Sequence, residues 1–524
     1  MQQELEWKSI PVGVRFISEE VCSASSGVVF ARFNNGVLDG EYMVTLSHLT
    51  KEQLTKYRIY VTGRDLIKEE DVYWHPAAVD FHSSVVRGSN GGSAGGALAN
   101  FVKDLLAQDF ITVPGGHSLA ERDFDVSVVG LRLARTRLAD VFPLSEADTV
   151  EFGEADEQSS IAVEAFPFSF TNPLIFNKFC SFGTVISKVS MGGVFVGYLS
   201  DVKYLENSAG AQVKISRSPK SLGLLMGALR KKNGDGEFAF ILPWSQMSHI
   251  LDMNRISIPW QVSAASPTEN SFSKCSVFPV VVSDKSSSAW GSCVYLGDSV
   301  FASNFHVVES YVKNRRRVSC SIKLSRQLSI RISQEDEIFV PFKSVDLAYI
   351  KLRRESSARS ATAGLVSPSI DYDYEIGDSV SAIGYGLYYN ESLVSPLQTI
   401  GHVLAKHKSR LFEDSAELST TLIATSSSCW NGSSGGALIS RGTGALIGLI
   451  CSNIEVALPE PMVSQENKIE KVPSFTFAIP IEVIAQGLQL CSKDSSLRRM
   501  NPHIEKMWTV TPYHNDIIVE KVKL

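Results

Sequence analysis

Long apolar runs are absent from this chain of 524 residues. No stretch approaches the roughly 18 uninterrupted apolar residues of a membrane-spanning helix, so no span is expected. Cysteine is sparse. There are eight, at positions 22, 180, 275, 293, 320, 429, 451 and 491, and none forms a C-x-x-C pair. That spacing suggests neither a zinc site nor a disulfide framework, and the chain reads as intracellular and reduced. A dominant charge is missing too. The formal net charge of −6 gives no general attraction to nucleic acid or acidic membranes. Met1 to Ile10 carries Glu4, Glu6 and Lys8 before any apolar stretch forms, so no secretory signal peptide is expected.

What is present is a chain that is 44% hydrophobic and 20% charged, enough to bury large cores. Its dominant periodicity is two, in short strands separated by Gly, Pro and Asn turns, so the expected class is all-β. Helical patterns are few. Trp244 to Leu251 and Ile481 to Leu490 read as helices that close two halves, while Leu105-Leu106-Ala107 is ambiguous. Ser263 to Lys274, polar and containing Pro267, reads as a linker. The expected organisation is a domain at 1–260, a linker at 261–274, a second domain at 275–492 and a tail at 493–524. One basic segment, Lys313-Asn314-Arg315-Arg316-Arg317 with Lys323, Arg326 and Arg331, surrounds alternating Val318, Cys320, Ile322 and Leu324. It reads as a hairpin with a basic outer face, solvated or docking an acidic partner.

Six residues carry the most chemistry: Gly432-Ser433-Ser434-Gly435-Gly436-Ala437. They lie between the apolar runs Thr420 to Ala424 and Ala445 to Ile450. Glycines in such a turn let backbone N–H groups point into one small cavity that could hold an oxyanion, with Gly432 and Ser434 as the donors. Two further residues fit. Gly291 to Leu296 reads as a strand, followed by Ser299 to Phe305 as a second strand ending in His306-Val307-Val308. Asp346 then heads the apolar strand Leu347 to Leu352. A carboxylate against an apolar wall is costly without a partner, and the imidazole N–H of His306 is the obvious one. The order His306, Asp346, Ser434 is one of the orders in which a nucleophile, base and orienting acid occur.

Segments 288–310, 343–353, 426–440 and 474–484 resemble the HtrA/Deg branch of the trypsin-like serine proteases. The resemblance covers most of 275–492. It implies a double β-barrel domain that hydrolyses peptide bonds through an acyl-enzyme, with Ser434 as nucleophile, His306 as base and Asp346 as its orienting acid. Secreted trypsins place Asp before the nucleophile; here that position is Ser433, so activation by a freed N-terminus is not expected. In this fold the specificity pocket would be lined by Ser428, Cys429, Trp430, Cys451, Ser452 and Asn453. None is acidic, which argues against cleavage after Lys or Arg and suits a small or neutral side chain. No metal and no organic cofactor is needed for such chemistry.

The first half carries the same layout in worn form. Val44 to Leu49 parallels Phe301 to Val307, with His48 in the place of His306, and Asp125 to Leu131 parallels Asp346 to Ile350. Asn207 to Val213 parallels the nucleophile turn, with Ala209 where Ser434 stands. Alanine has no nucleophilic atom, so this half cannot run acyl transfer there. A look-alike, Gly92 to Leu98, precedes Asp125 and breaks the order; residues 87–98 are expected to be a flexible surface loop. The whole is thus expected to be two tandem trypsin-like domains, the first degenerate.

The last residues, Val522-Lys523-Leu524, resemble the peroxisomal C-terminal address Ser-Lys-Leu, although Val522 departs from its small first residue. Together with a degenerate half and a GSSGG half, this resembles the peroxisomal leader-peptide-processing proteases of animals and plants. About 30 residues follow the last helix, too few for a PDZ domain. The resemblance implies a peroxisomal matrix location and an import receptor bound through the C-terminus. It also implies substrates bearing N-terminal leaders, with β-oxidation and lipid enzymes as clients. A cytosolic or nuclear HtrA-like quality-control protease and a catalytically idle peptide-binding scaffold stay open at this point, as does the oligomeric state.

Overall fold

The computed structural model describes residues 5–508 apart from 20–21, 64–65, 69–70, 86–92, 114–125, 135, 169–175, 177–178, 233–235, 260–275, 326, 354–360, 363, 390–394, 458–468 and 493–498. The expected linker, Asp125 and the terminal tripeptide lie outside these residues. The chain forms two compact units. One comprises Met1–Ser271 with Leu387–Thr399 and Val456–Lys471; the other comprises Phe272–Gly386, Ile400–Glu455 and Val472–Leu524. Two short segments from the second half of the sequence therefore belong to the first unit. Tyr388 shows how: its ring lies 5.9 Å from that of Phe101 and 6.3 Å from that of Phe110.

The first unit begins with a closed barrel of Leu5–Ile17, Cys22–Asn34, Val37–Ser47, Ser127–Leu133, His75–Ser84 and Arg58–Gly63. Val12, Val14, Val29, Met43, Val61 and Val129 fill it. Its second sheet runs Lys220–Lys231, Gln212–Ile215, Ser160–Ala165, Phe179–Met191, Val194–Ser200 and Glu237–Pro243. Pairing of the first and last of these closes the ring. Strand Ser160–Ala165 shows the period-two logic plainly: Ile161, Val163 and Ala165 are buried and alternate with more exposed neighbours. All these strands are mutually antiparallel, so each can face a core on one side and water on the other.

The ladder also sets the register of the worn half. Thr45 pairs with Val129 and Ser47 with Ser127. In the second unit Ser303 pairs with Ala348 and Asn304 with Leu347. Counting along both ladders puts Ser127, not Asp125, in the position of Asp346. The sequence parallel was displaced by two residues, which keeps the same strand face and so leaves the alternation unchanged.

Residues 93–98 are not a surface loop. They start the helix Ser93–Ala107, in which Leu98, Phe101, Val102 and Leu105 are buried. Their spacing of three and four makes one apolar stripe, and tertiary burial of that stripe outweighs the helix-breaking glycines at its start.

The second unit holds a seven-stranded sheet of Ser329–Arg331, Ser319–Lys323, Val277–Ser283, Ser288–Gly297, Val300–Asn304, Leu347–Lys351 and Glu337–Phe339. Its first two strands form the basic hairpin. A closed six-stranded barrel follows: Ser379–Gly384, Leu397–Ser409, Ser419–Thr425, Ile469–Pro480, Leu446–Ala457 and Ala437–Ser440. Trp244–Met253 and Ile481–Ser492 are the helices that follow the last strands of the two halves. The class is all-β. Among the described residues no helix is long and apolar enough to cross a membrane, and no cluster of three or more His, Cys, Asp or Glu side chains could hold a metal.

Candidate active site

Strand Val300–Asn304 stops earlier than its apolar pattern suggests. Asn304 becomes the N-cap of a helix, Phe305–Lys313, and His306 is the second residue of that helix rather than the end of a strand. Val308 and Tyr311 turn into the core, which is the helical spacing that wins over the β-branched run at 307–308. Gly291 makes room, because a Cβ there would meet Val307.

Asp346 arrives from the other side. It ends the 3-10 turn Lys343–Val345 in a left-handed conformation, φ 61°, just before strand Leu347–Lys351. This non-glycine residue is held there by three bonds. Its carbonyl accepts Phe305 N–H at 2.9 Å and Asn304 Nδ2–H at 3.1 Å. Its Oδ1 accepts His306 N–H at 2.8 Å. A carboxylate at a helix N-terminus is favoured by the unpaired N–H groups there. Oδ2 then stands 2.5 Å from His306 Nδ1. A proton on Nδ1 donates into this contact, which fixes the ring and leaves Nε2 as the basic nitrogen.

Ser434 lies on the turn between strands Ser419–Thr425 and Ala437–Ser440. Ser433 N–H donates to Trp430 O at 2.8 Å, and Gly436 N–H donates to Ser433 O at 2.9 Å. Gly432 and Gly435 have φ of 96° and 85°, conformations that a side chain disfavours. Neither Gly432 N–H nor Ser434 N–H donates to an acceptor among the described residues. These two donors are the pair expected to bind an oxyanion.

Cys451 joins the pieces. Ser434 Oγ–H donates to Cys451 O at 2.9 Å, and Cys451 Sγ lies 3.7 Å from Asp346 Oδ2. In this state the serine hydroxyl is directed at a carbonyl rather than at the imidazole. Of the residues expected to line a pocket, Ser428 is half-buried, while Cys429, Trp430 and Cys451 are buried. Thr476 Oγ1–H donates to Cys429 Sγ at 3.0 Å, and burial pushes the Cys429 thiol up to about 12. The side chains of Ser452 and Asn453 lie outside the described residues.

Three residues that the sequence did not single out support the turn. Ser292 N–H donates to Ser434 O, Ser303 Oγ–H donates to Ser292 O at 2.7 Å, and Trp290 Nε1–H donates to Tyr385 O at 2.8 Å. Small hydroxyls in an apolar strand are the one signal that could have flagged the two serines, and Trp290 carried none.

The first unit rebuilds the backbone bonds of this turn. Ser26 N–H donates to Ala209 O, and Thr45 Oγ1–H to Ser26 O. Gly210 N–H donates to Leu225 O as Gly435 N–H donates to Ile450 O, both at 2.8 Å. Asn207 and Gly210 have φ of 68° and 82°, in the places of Gly432 and Gly435.

Residues 291–449 match the family model described as a trypsin-like peptidase domain. Among curated proteins there is no match. Solved structures similar to this chain include HtrA-type protease AlgW with a tripeptide, at 20% identity and a TM-score of 0.28, covering 42% of this chain and 62% of that one. Deg5 is 21% identical with a TM-score of 0.27, covering 41% and 87%. The active form of the Rv3671c protease from M. tuberculosis is 14% identical with a TM-score of 0.29, covering 44% and 89%. This chain thus spans less than two thirds of the AlgW chain.

Proposed function

We propose that this chain is a serine endopeptidase in which Ser434 is the nucleophile, His306 the general base and Asp346 the group that orients it. The observation that carries the reading is the doubly bonded pair His306–Asp346, 2.5 Å apart at the ring, linked through Cys451 to Ser434. For reaction, Ser434 turns from Cys451 O toward His306 Nε2 and attacks the scissile carbonyl. His306 takes the hydroxyl proton and returns it to the leaving amine, while Asp346 stabilises the imidazolium. Gly432 N–H and Ser434 N–H receive the oxyanion, each worth about 3–4 kcal/mol in the transition state. Water then releases the acyl group by the same route.

The proposed substrates are imported peroxisomal matrix enzymes bearing N-terminal leaders, among them enzymes of β-oxidation, and the proposed location is the peroxisomal matrix. Support comes from the tandem arrangement of one trypsin-like unit with alanine at 209 and one with serine at 434, which is what the resemblance implies. The test is incubation of wild type and Ser434→Ala with a leader-bearing peroxisomal thiolase, followed by N-terminal mapping. A single cut at the leader junction, absent with the variant, supports the reading. Broad cleavage of unfolded protein instead favours a quality-control protease, and no cut by folded wild type favours a peptide-binding scaffold.

A further inference from the structure

We infer that Ser292 is a positioning residue that sets the oxyanion cradle. The inference rests on the proposed role of Ser434.

The cradle needs two N–H groups, from Gly432 and Ser434, to converge on one point. Glycine at 432 gives the turn a conformation that other residues resist, and it also leaves that turn free to rotate. Something outside the turn must therefore hold it. Ser292 holds both residues at once. Its backbone N–H donates to Ser434 O at 2.8 Å, and its Oγ–H donates to Gly432 O at 2.8 Å. The two pinned carbonyls belong to the two residues whose N–H groups form the cradle. With these carbonyls fixed, the 432–433 and 434–435 peptides are held, and the 433–434 peptide that carries Ser434 N–H is set between them, its own carbonyl accepting Gly436 N–H at 2.9 Å.

The direction of the hydroxyl bond is also fixed. Tyr385 N–H donates to Ser292 Oγ at 2.9 Å, so the serine's own proton is left for Gly432 O. Ser292 is fully buried, where no water competes for either bond. Tyr385 O is in turn held by Trp290 Nε1–H, two residues earlier on the same strand and hence on the same face. The strand Ser288–Gly297 thus presents a rigid rail against which the turn is set.

The other unit shows that this is a construction rather than a coincidence. Ser26 Oγ–H donates to Asn207 O at 2.9 Å and accepts Phe166 N–H at 2.9 Å. The same pair of bonds recurs at the matching places, around a turn that carries no nucleophile. The serine latch therefore belongs to the building of the turn. Catalysis in the second unit uses the geometry it imposes, without Ser292 touching the substrate.

The experiment compares wild type with Ser292→Ala and Ser292→Cys, using cleavage of leader-bearing thiolase. It adds the affinity of a peptidyl boronic acid matching the mapped cut and labelling of Ser434 by a fluorophosphonate. For Ser292→Ala, kcat is expected to fall by about 10- to 100-fold with KM within about twofold, because the loss is confined to transition-state binding. Boronate affinity is expected to fall by the same factor, while affinity for the uncleaved peptide bound to Ser434→Ala is the same with or without Ser292→Ala. Ser292→Cys, which keeps a weak donor, should lie between. Should the alanine variant not fold, Ser292→Cys against wild type reads the same split. Unchanged kcat in a folded variant, or a loss carried by KM alone, overturns the inference. Failure of the fluorophosphonate to label wild type at Ser434 overturns the proposed nucleophile instead, so the two failures are distinguishable.

Discussion

Ala209 stands in its unit where Ser434 stands in the other: each carbonyl accepts the N–H of a strand serine, Ser26 or Ser292, at 2.8 Å. The correspondence includes the turn's two positive-φ residues, so the units differ at this place in side-chain chemistry rather than in backbone construction. Restoring a hydroxyl at 209 should nonetheless not restore an enzyme. Ser127 occupies the register position of Asp346, and a serine cannot supply a carboxylate to a histidine. Ala209→Ser in a Ser434→Ala background is expected to give no fluorophosphonate labelling and no cleavage of thiolase. Labelling at position 209 would show that the first unit retains a working base.

The three proposed catalytic residues should fail together but not equally. Ser434→Ala and His306→Ala are each expected to lower kcat by about 10⁶. Asp346→Asn should cost about 10⁴, since the ring keeps its place and loses the preferred tautomer. Steady-state kinetics on purified, folded variants read these values. A variant of Asp346 with full activity would remove it from the mechanism.

Gly432 has no room for a side chain. Its φ is 96°, and a Cβ would press on Trp290 Nε1 and Tyr385 O. Gly432→Ala is expected to cost about 1–3 kcal/mol of stability through backbone strain. It should also lower kcat by at least about 100-fold, because the shifted backbone carries one cradle donor out of place. Urea denaturation gives the first number and turnover the second.

Thiol reactivity should follow burial. Cys22 is exposed, whereas Cys293, Cys320 and Cys429 are buried. Burial raises all three thiols, Cys320 and Cys429 to about 12 and Cys293 well above its ordinary value. Since the thiolate is the reacting species, iodoacetamide at pH 8 should modify Cys22 first and spare these three until the chain unfolds. Peptide mapping by mass spectrometry decides it; early alkylation of Cys429 in native protein would contradict the packing around Thr476.

One carboxylate should mark an acid limb of stability. Asp284 accepts N–H bonds from Ser286 and Ser287 at the turn between strands Val277–Ser283 and Ser288–Gly297. These bonds lower its pKa to about 2 from an ordinary 3.8. A depressed folded value means the contribution is complete above the unfolded range and fades as pH falls through about 2. Asp284→Asn should flatten stability across that window in acid titrations followed by circular dichroism.

Much of the site is legible in the sequence because its residue types are rare in combination. Gly432 to Ala437, His306 and Asp346 stand out by chemistry and order alone. Local context misled where a competing pattern was as good. The apolar run through Val307 and Val308 reads as strand, yet Val308 and Tyr311 bury a helical stripe. Gly92 to Leu98 reads as a loop, yet Leu98 joins Phe101, Val102 and Leu105 in one buried face.

The sequence by itself determined the strand alternation, the glycines that a positive-φ turn favours, and the chemistry present at 434 and missing at 209. Tertiary structure alone decided that Ser292 grips the turn, that Ser434 points at Cys451 O, and that Ser127 rather than Asp125 stands opposite Ser47. The reason is separation along the chain. Ser292 and Gly432 lie 140 residues apart, and a hydrogen bond across that distance leaves no periodicity for a local pattern to reveal. It exists only once the seven-stranded sheet packs against the six-stranded barrel and brings that strand and that turn to the same buried place.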